Sequence, residues 1–556
     1  MPSLVVKPSG RAIPVTQGGT VLEALRRAGI ELESPCGGEG VCGKCRVRVE
    51  GPEGVPETPH RLLPAHEARE GWRLACRLVP EGDLTVHLPP DALLDARILE
   101  GERLCAGRLA PAARIVAAAD AWHLEYEGEE AAELPGWQPG TAPKGVAVDI
   151  GTTTLVVSLL DLATGRELAT ASALNPQTAF GHDVLSRIQK GSTREGLGEL
   201  ATAVRGVLNR LIGETCREAG ADAGEVVDAV LGANTTMLQL AGEFDPAPLG
   251  RIPFRVGITG GRSYPAARFG LDLHPAARVY VPPVAHAFVG SDISGGLLAC
   301  RFFEREGPLL FVDIGTNGEL ALSAGGRWLV TSAAAGPAFE GMGISQGMRA
   351  APGAVEAVHT EGGALEVRVI GDVPARGLCG SGLIDAVACL LRAGALEPSG
   401  RMLRPGEARG LLDPGFAERL VERDGRPAFR LAEGVFLTQA DVRQLQLAKA
   451  AIRTAVDLLL AEAGTPPSDL REVVLAGAFG YHLRPESLEA IGLLPSGLSE
   501  RVAFAGNTSR LGAALLLVDG GARSKLAARM AETRHLPLPE SHTFQDAFVQ
   551  NLSFPA

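Results

Sequence analysis

The pentapeptide Val-Asp-Ile-Gly-Thr occurs twice in this chain, at 148–152 and again at 312–316. Each copy ends an apolar run, VAVDIGTTTLVVSLLDLATG in the first case and LLFVDIGTNGELALSAGGRWLV in the second, and each reads as strand, tight turn, strand. The separation of 164 residues is too long for a solenoid repeat and fits two copies of one domain. Helical patterns at 199–215 and 441–463 alternate with the buried-strand patterns VVDAVLGANTTM and EVVLAGAFG, which end in glycine-rich turns. Strands alternating with helices predict α/β layers. With 556 residues there is room for several domains.

A turn of glycine and threonine offers backbone N–H groups and hydroxyls to a phosphate chain, and the aspartate before it sits where a metal or its waters can be held. Two such turns across a cleft would clamp a nucleotide, with Asp149, Gly151, Thr152 and Thr153 on one side and Asp313, Gly315, Thr316 and Asn317 on the other. A third turn, Gly477, Ala478 and Gly480, offers flat backbone to an adenosine. One Asp-x-Gly-Thr turn alone is often only structural; the pair followed by the third turn is the informative pattern. The trio resembles the superfamily of acetate kinase, sugar kinases, actin and heat-shock chaperone ATPases, which implies two RNase-H-like lobes closing on ATP.

The nine cysteines are unevenly placed. Cys36, Cys42, Cys45 and Cys76 give C-x5-C-x2-C-x30-C, whereas Cys105, Cys216, Cys300, Cys379 and Cys389 stand alone. Four thiolates hold a 2Fe–2S cluster, two to each iron, and glycines 37, 38, 40 and 43 let backbone donors approach its sulfides. A zinc site normally pairs two short C-x2-4-C elements, and Cys76 has no near partner; zinc and four unrelated buried thiols remain the alternatives. Around the cysteines, LVVK–turn–RAIPV reads as a hairpin. Thr20 to Glu23 reads as a capping box opening a helix to about Gly29, CRVRVE and LTVHL read as strands, and the whole predicts a β-grasp domain. PCGGEGVCGKC with the distant Cys76 resembles the adrenodoxin-type 2Fe–2S ferredoxins.

These readings divide the chain into a ferredoxin domain (1–90), a linker with a reduced middle element (91–144), and ATPase lobes at 145–300 and 301–556. Asp91–Leu109 reads as helical and Gly136–Gly140 as linker. Fifty-three Lys and Arg against 65 Asp and Glu give a net charge of −12, which disfavours nucleic acid as a partner. Apolar runs fall short of the ~20 residues that cross a bilayer, and no signal-peptide core is seen; the expectation is a cytoplasmic protein without a membrane partner.

From 146 to 553 the sequence resembles the reductive activators of corrinoid proteins. The stretches that carry this are NPQTAFGHDVLSRI (175–188), GANTTM (232–237), PPVAHAFVGSDI (282–293), SAAAGPAFEGMGISQGMRA (332–350), GLCGSGLIDAVA (377–388), LTQADVRQLQLAKAAI (437–452), IGLLP (491–495) and GNTSRLGAALLL (506–517). The resemblance implies ATP-dependent return of a corrinoid protein, a methyl carrier or methyltransferase, from Co(II) to Co(I). It implies a low-potential electron donor, a 2Fe–2S cluster, ATP and Mg²⁺, and is compatible with a homodimer. A ferredoxin near ~−400 mV lies above the Co(II)/Co(I) couple that the resemblance implies. Each ~59 mV of such a gap is tenfold against the product, so an ATP-driven change at the cobalt has a purpose. A small-molecule kinase carrying a ferredoxin, and a nucleotide-gated redox sensor, are the competing functions.

Other residues have a functional and a bland reading. Glu319 orients water or metal, or is an exposed strand residue. Asp292 and Glu340 lie in glycine-rich loops near the expected cleft, or are ordinary loop carboxylates. The loop 333–347 is a mobile element facing a planar partner, or a cleft wall. His182 and His286 read as loop or core histidines, and Cys379 and Cys389 as packed helix residues.

Overall fold

The two Asp-Ile-Gly-Thr segments end the central strands of two six-stranded sheets that share one order over five of their strands. The computed structural model describes residues 2–7, 11–16, 18–28, 32, 45–50, 63, 68, 71–80, 82–88, 109–118, 121–181, 183–361, 364–477, 483–538 and 542–555. In the first lobe, Lys144–Ile150, Thr154–Asp161 and Glu167–Leu174 form an antiparallel meander. Val226–Ala233 and then Arg278–Val281 join in parallel on the other side of the first strand, and Arg262–Pro265 closes the edge. In the second lobe, Leu309–Ile314, Gly318–Ala324 and Arg327–Ala333 repeat the meander. Glu472–Ala476 and Val502–Gly506 join in parallel, and the short Arg534–His535 strand flanks the opposite edge. Central strands are apolar on both faces because both faces are covered: Val226–Ala233 and Gly318–Ala324 are buried throughout. This is the two-lobed architecture that the repeat implied.

Equivalent helices cover the meanders. Arg194–Ala219 starts where the Thr193 side chain accepts from Gly196 N–H and ends at Gly220 in the left-handed region (φ 66°). Gln439–Ala463 starts with a Thr438/Asp441 capping box and ends at Gly464 (φ 63°). The first helix begins earlier than the apolar period suggested, because its polar opening turn is set by the cap and not by burial. The Val226–Ala233 strand does not end in a free glycine turn: Asn234 caps a helix, Thr235–Ala241.

Two helices join the lobes. Ser291–Ala299 ends the first lobe, and Thr508–Val518 leaves the last parallel strand of the second lobe to pack back on Lys144–Ile150, Val226–Ala233 and Ser291–Ala299. Their backbones touch at Gly295 and Gly512, where a Cβ on Gly512 would lie 2.0 Å from the Gly295 carbonyl oxygen.

The N-terminal unit has sheet order Arg11–Pro14, Ser3–Lys7, Leu84–His87, Arg46–Glu50, Trp72–Leu74, and helix Val21–Arg27 opens with the expected capping box between Thr20 and Glu23. Leu4, Val6, Val21, Leu22, Leu25, Val47 and Val86 form its core. Asp91–Leu109, read as helical, lies outside the described residues except for Leu109.

Residues 109–144 are not a free linker. Ala113–Ala118, Ala121–Tyr126 and Glu129–Glu133 form a three-stranded sheet. Ala110 N–H donates to the Val518 carbonyl at 2.8 Å, and Gly520 N–H donates to the Ala110 carbonyl at 2.8 Å. The Tyr126 hydroxyl meets Arg523, Asp228 and Ser263 in a buried network, with Arg523 Nη2 donating to Asp228 Oδ2 at 2.5 Å. The Gly136–Gly140 stretch is a pair of turns, with Trp137 edge-on to His274 at 6.1 Å.

Candidate active site and cysteine centre

The strand Lys144–Ile150 delivers Asp149 to the carboxyl edge of the first sheet, where ligands of open α/β sheets collect. Its carboxylate accepts from Asn507 Nδ2 at 2.8 Å and Ser509 Oγ at 2.7 Å. Both donors belong to the first turn of the returning helix Thr508–Val518, which Asn507 caps by accepting from Arg510 N–H at 3.0 Å. Burial pushes the Asp149 carboxyl up, while Ser509, Asn507 and the Arg510 charge pull it back. Gly151 N–H closes the turn on the Thr154 carbonyl at 2.9 Å. Asn175 braces it, donating from Nδ2 to the Gly151 carbonyl at 2.8 Å and from its backbone N–H to the Thr153 carbonyl at 2.8 Å.

Leu309–Ile314 delivers Asp313 in the same way, and Gly315 N–H bonds to the Asn317 carbonyl at 2.9 Å. Burial and then the Asp149 charge push Asp313 up to about 7. Glu319 stands directly opposite Asp313 across the antiparallel pair. It is buried, not the exposed strand residue of its bland reading, and burial followed by Asp292 and Asp313 drives its carboxyl well above the usual range. Asp292, in the first turn of Ser291–Ala299, is pushed up to about 8 by burial and then by Asp313. The third turn adjoins the second: Gly477 has φ 94°, and a Cβ there would lie 2.9 Å from Asp313 Oδ1 and 2.9 Å from the Ile314 carbonyl oxygen. Ala478 and Gly480 lie outside the described residues.

Glu340 joins the two turns. Thr153 Oγ1 of the first lobe donates to its Oε2 at 3.0 Å, and Thr316 Oγ1 of the second lobe donates to its Oε1 at 2.9 Å. Both carboxylates read from the sequence as lying in loops reach the cleft, Glu340 from a short turn and Asp292 from the first turn of a helix instead of a loop. Among the described residues no three His, Cys, Asp or Glu side chains converge as a ready-made metal cage. A magnesium ion fits such a site, because it is usually held by one or two carboxylates together with substrate phosphates and its own waters.

Cys45 and Cys76 are brought together by the antiparallel pair Arg46–Glu50 and Trp72–Leu74, with Ala75 N–H donating to the Cys45 carbonyl at 2.7 Å. Their sulfurs are buried and 3.2 Å apart, well beyond the ~2.05 Å of a disulfide. Two thiolates on one tetrahedral metal stand about 3.8 Å apart, so the pair becomes two ligands of one iron with a small opening of the side chains. Cys36 and Cys42 lie outside the described residues. Cys379 and Cys389 pack, each with its thiol against a backbone carbonyl, of Val355 and Val358. His286 stacks on His535 with ring centroids 3.6 Å apart, and His182 lies outside the described residues.

Asn507, Ser509 and Asn175 were not singled out as site residues from the sequence. The signal for the first two was present: an asparagine followed by Thr-Ser and an apolar run is a helix start, although nothing local says which lobe that helix joins.

Known proteins match along the whole chain. The 2Fe–2S iron–sulfur cluster binding domain matches residues 4–81, the RACo middle region residues 144–305, and the C-terminal domain of RACo, the ASKHA domain, residues 307–556. The corrinoid activation enzyme RamQ of Eubacterium limosum is 31% identical, over 98% of this chain and 97% of that one. The [Co(II) methylated amine-specific corrinoid protein] reductase of Methanosarcina barkeri is 28% identical over 74% of this chain and 77% of that one. A solved structure of a reductive activator for corrinoid, iron–sulfur protein superimposes with a TM-score of 0.71 at 30% identity, covering 100% of this chain and 98% of that one.

Proposed function

This chain belongs to the RACo family of corrinoid-protein activators, and we propose that it returns the cobalt of a corrinoid protein from Co(II) to Co(I), one electron per turnover, with hydrolysis of ATP. The observation that carries the reading is the joining, in one chain, of a ferredoxin-type cysteine centre with two lobes whose Asp-Ile-Gly-Thr turns face each other through Glu340.

Cys36, Cys42, Cys45 and Cys76 would hold a 2Fe–2S cluster, which when bound supplies one-electron transfer from a low-potential cellular donor. The antiparallel pair Arg46–Glu50 and Trp72–Leu74 fixes two of these ligands, Cys45 and Cys76. Gly151, Thr152 and Thr153 with Gly315, Thr316 and Asn317 take the phosphates, and Gly477, Ala478 and Gly480 the adenosine side. Asp313 is the best placed ligand for a magnesium ion or its water, because its carboxyl is buried beside three other acidic groups and a cation there relieves their repulsion. Glu319, directly across the strand pair, orients the water, and Asp149 fixes the returning helix Thr508–Val518 to the strand that leads into the first turn. We divide the chain for these roles at 1–90, 91–144, 145–300 and 301–556, with helix Thr508–Val518 working as part of the first lobe. No helix among the described residues is long and apolar enough to cross a membrane, which is compatible with a cytoplasmic setting.

The test is to mix reduced protein, a Co(II) corrinoid protein and Mg-ATP and to follow the Co(I) absorbance. Co(I) is expected to form faster and further with ATP than without it. Equal rates and yields would return the nucleotide-gated sensor and the kinase to consideration. Iron and sulfide analysis should give two of each per chain, and Cys76→Ala should lose the visible spectrum; zinc alone would refute the cluster.

A further inference from the structure

Glu340 spans the cleft with one carboxylate, each oxygen accepting a hydroxyl from a different lobe: Thr153 at 3.0 Å and Thr316 at 2.9 Å. Those are two of the three hydroxyls assigned to the phosphate turns, one from each lobe, and a phosphate oxygen would ask the same of them. A threonine hydroxyl has one proton to give, so it serves Glu340 or the nucleotide but not both. The carboxylate is also an anion, with the buried Arg187 guanidinium feeling its charge, and a polyphosphate reaching the two turns meets that carboxylate first.

From this we infer that Glu340 is a latch on the nucleotide site: it holds the two turns together by standing in for phosphate, and nucleotide is bound productively only when Glu340 has swung away. The inference rests on the reading of the two turns as the phosphate site. The movement is one of the Glu340 side chain, because Ala338 and Phe339 of the same turn are held in the core. Glu340 ends the short turn Pro337–Glu340, between Gly336 (φ 75°) and Gly341 (φ 76°), both in the left-handed region that favours glycine. Beyond the glycine the chain is anchored outside the cleft. Ser345 donates to the Asp441 carboxylate from its backbone N–H at 2.6 Å and its hydroxyl at 2.7 Å. Gln346 donates to the Gly434 carbonyl at 2.8 Å and accepts from Phe436 N–H at 2.9 Å. The latch therefore hangs between a fixed outer sheet, Leu420–Arg423, Arg426–Ala432 and Val435–Thr438, and the two phosphate turns.

The variants Glu340→Ala and Glu340→Gln separate charge from bridging. Alanine removes both. Glutamine keeps a bridge, accepting from one threonine and donating to the other, but carries no charge. In the full-length, cluster-loaded protein without a corrinoid partner, Mg-ATP affinity is measured beside adenosine affinity, together with kcat and KM for hydrolysis. For Glu340→Ala the expected result is about tenfold tighter Mg-ATP, equivalent to ~1.4 kcal/mol, with a matching fall in KM and unchanged adenosine affinity. Glu340→Gln should fall between wild type and alanine. Mg-ATP binding that is unchanged or weaker in both variants, with adenosine binding intact, would overturn the latch. Loss of adenosine and Mg-ATP binding together with a lowered Tm in both variants would mean that Glu340 only supports the fold, which also overturns it. The phosphate-site reading fails separately: wild type and Asp313→Asn would then bind Mg-ATP equally or not at all.

Discussion

Asp149 and Asp313 hold the second position of identical pentapeptides in equivalent strands, yet their carboxyls live differently. Asp149 is tied by Asn507 and Ser509 to the helix that returns from the other lobe. Asp313 has no hydrogen bond to its carboxyl among the described residues; burial and the Asp149 charge alone push it up to about 7. The first copy has become a structural joint and the second an uncompensated acid. An uncompensated buried acid is poor for stability and good for holding a cation, as perturbed groups at functional sites often are. A duplication therefore preserves the turn while the tertiary surroundings decide what its aspartate does.

Substitution of Asp313 tests this division most severely. Asp313→Asn should lower ATP hydrolysis by roughly 10²–10³-fold, the usual cost of removing a preorganised electrostatic group. It should leave the cluster spectrum intact and Tm unchanged or raised, because it removes a buried charge that has no hydrogen bond to lose. Retained hydrolysis would dissolve the contrast between the two copies.

Asp149→Ala should show the opposite balance. It leaves the Asn507 amide and the Ser509 hydroxyl without their acceptor at the lobe joint. At ~1–3 kcal/mol for each buried donor left unpaired, stability should fall by about 2–6 kcal/mol, seen as a lower Tm or denaturation midpoint. Hydrolysis should be lost as well, because the returning helix positions the first turn. The cluster spectrum should stay, since the cysteine centre has its own core. A variant as stable as wild type would show that the two hydrogen bonds hold nothing in place.

How far the sequence carries this site depends on the range of each interaction. The Asp-Ile-Gly-Thr turns, the Thr20/Glu23 capping box and the β-grasp order are local, and were legible from neighbouring residues. The ties from Asp149 to Asn507 and Ser509 join positions 358 and 360 residues apart, through a helix that changes lobe. No periodicity encodes that. Glu319 follows a turn and reads as an exposed position; only a strand covered on both faces makes it a buried acid. The sheet at 113–133 was hidden for a different reason. Its last strand, EEAAE, has no apolar alternation, and the burial of Leu124 and Tyr126 against the first lobe holds the unit in place.

The smallest expected effect is a pH dependence, and it distinguishes the two aspartates by sign and position. Asp313 at about 7 and Asp292 at about 8 keep their protons in the folded chain, while an unfolded chain loses them near the ordinary 3.8. Between those limits the folded state binds more protons than the unfolded state, so stability falls as pH rises through that window and levels off above about 8. In the absence of divalent cations, Tm should therefore decline by a few degrees from about pH 6 to about pH 8.5. Asp313→Asn should flatten the decline, both by removing its own titration and by relieving Asp292, whose carboxyl Asp313 raises. Asp149→Asn should instead move the decline to lower pH, because the Asp149 charge is what raises Asp313 beyond the effect of burial. Mg-ATP should restore more stability at the upper end of the range than at the lower end, since a cation binds the ionised carboxylates and not the protonated ones. A wild-type Tm that holds level or rises over the same interval, or an identical slope in both variants, would mean that the two acids titrate alike and that the second copy has no special charge state to offer a metal.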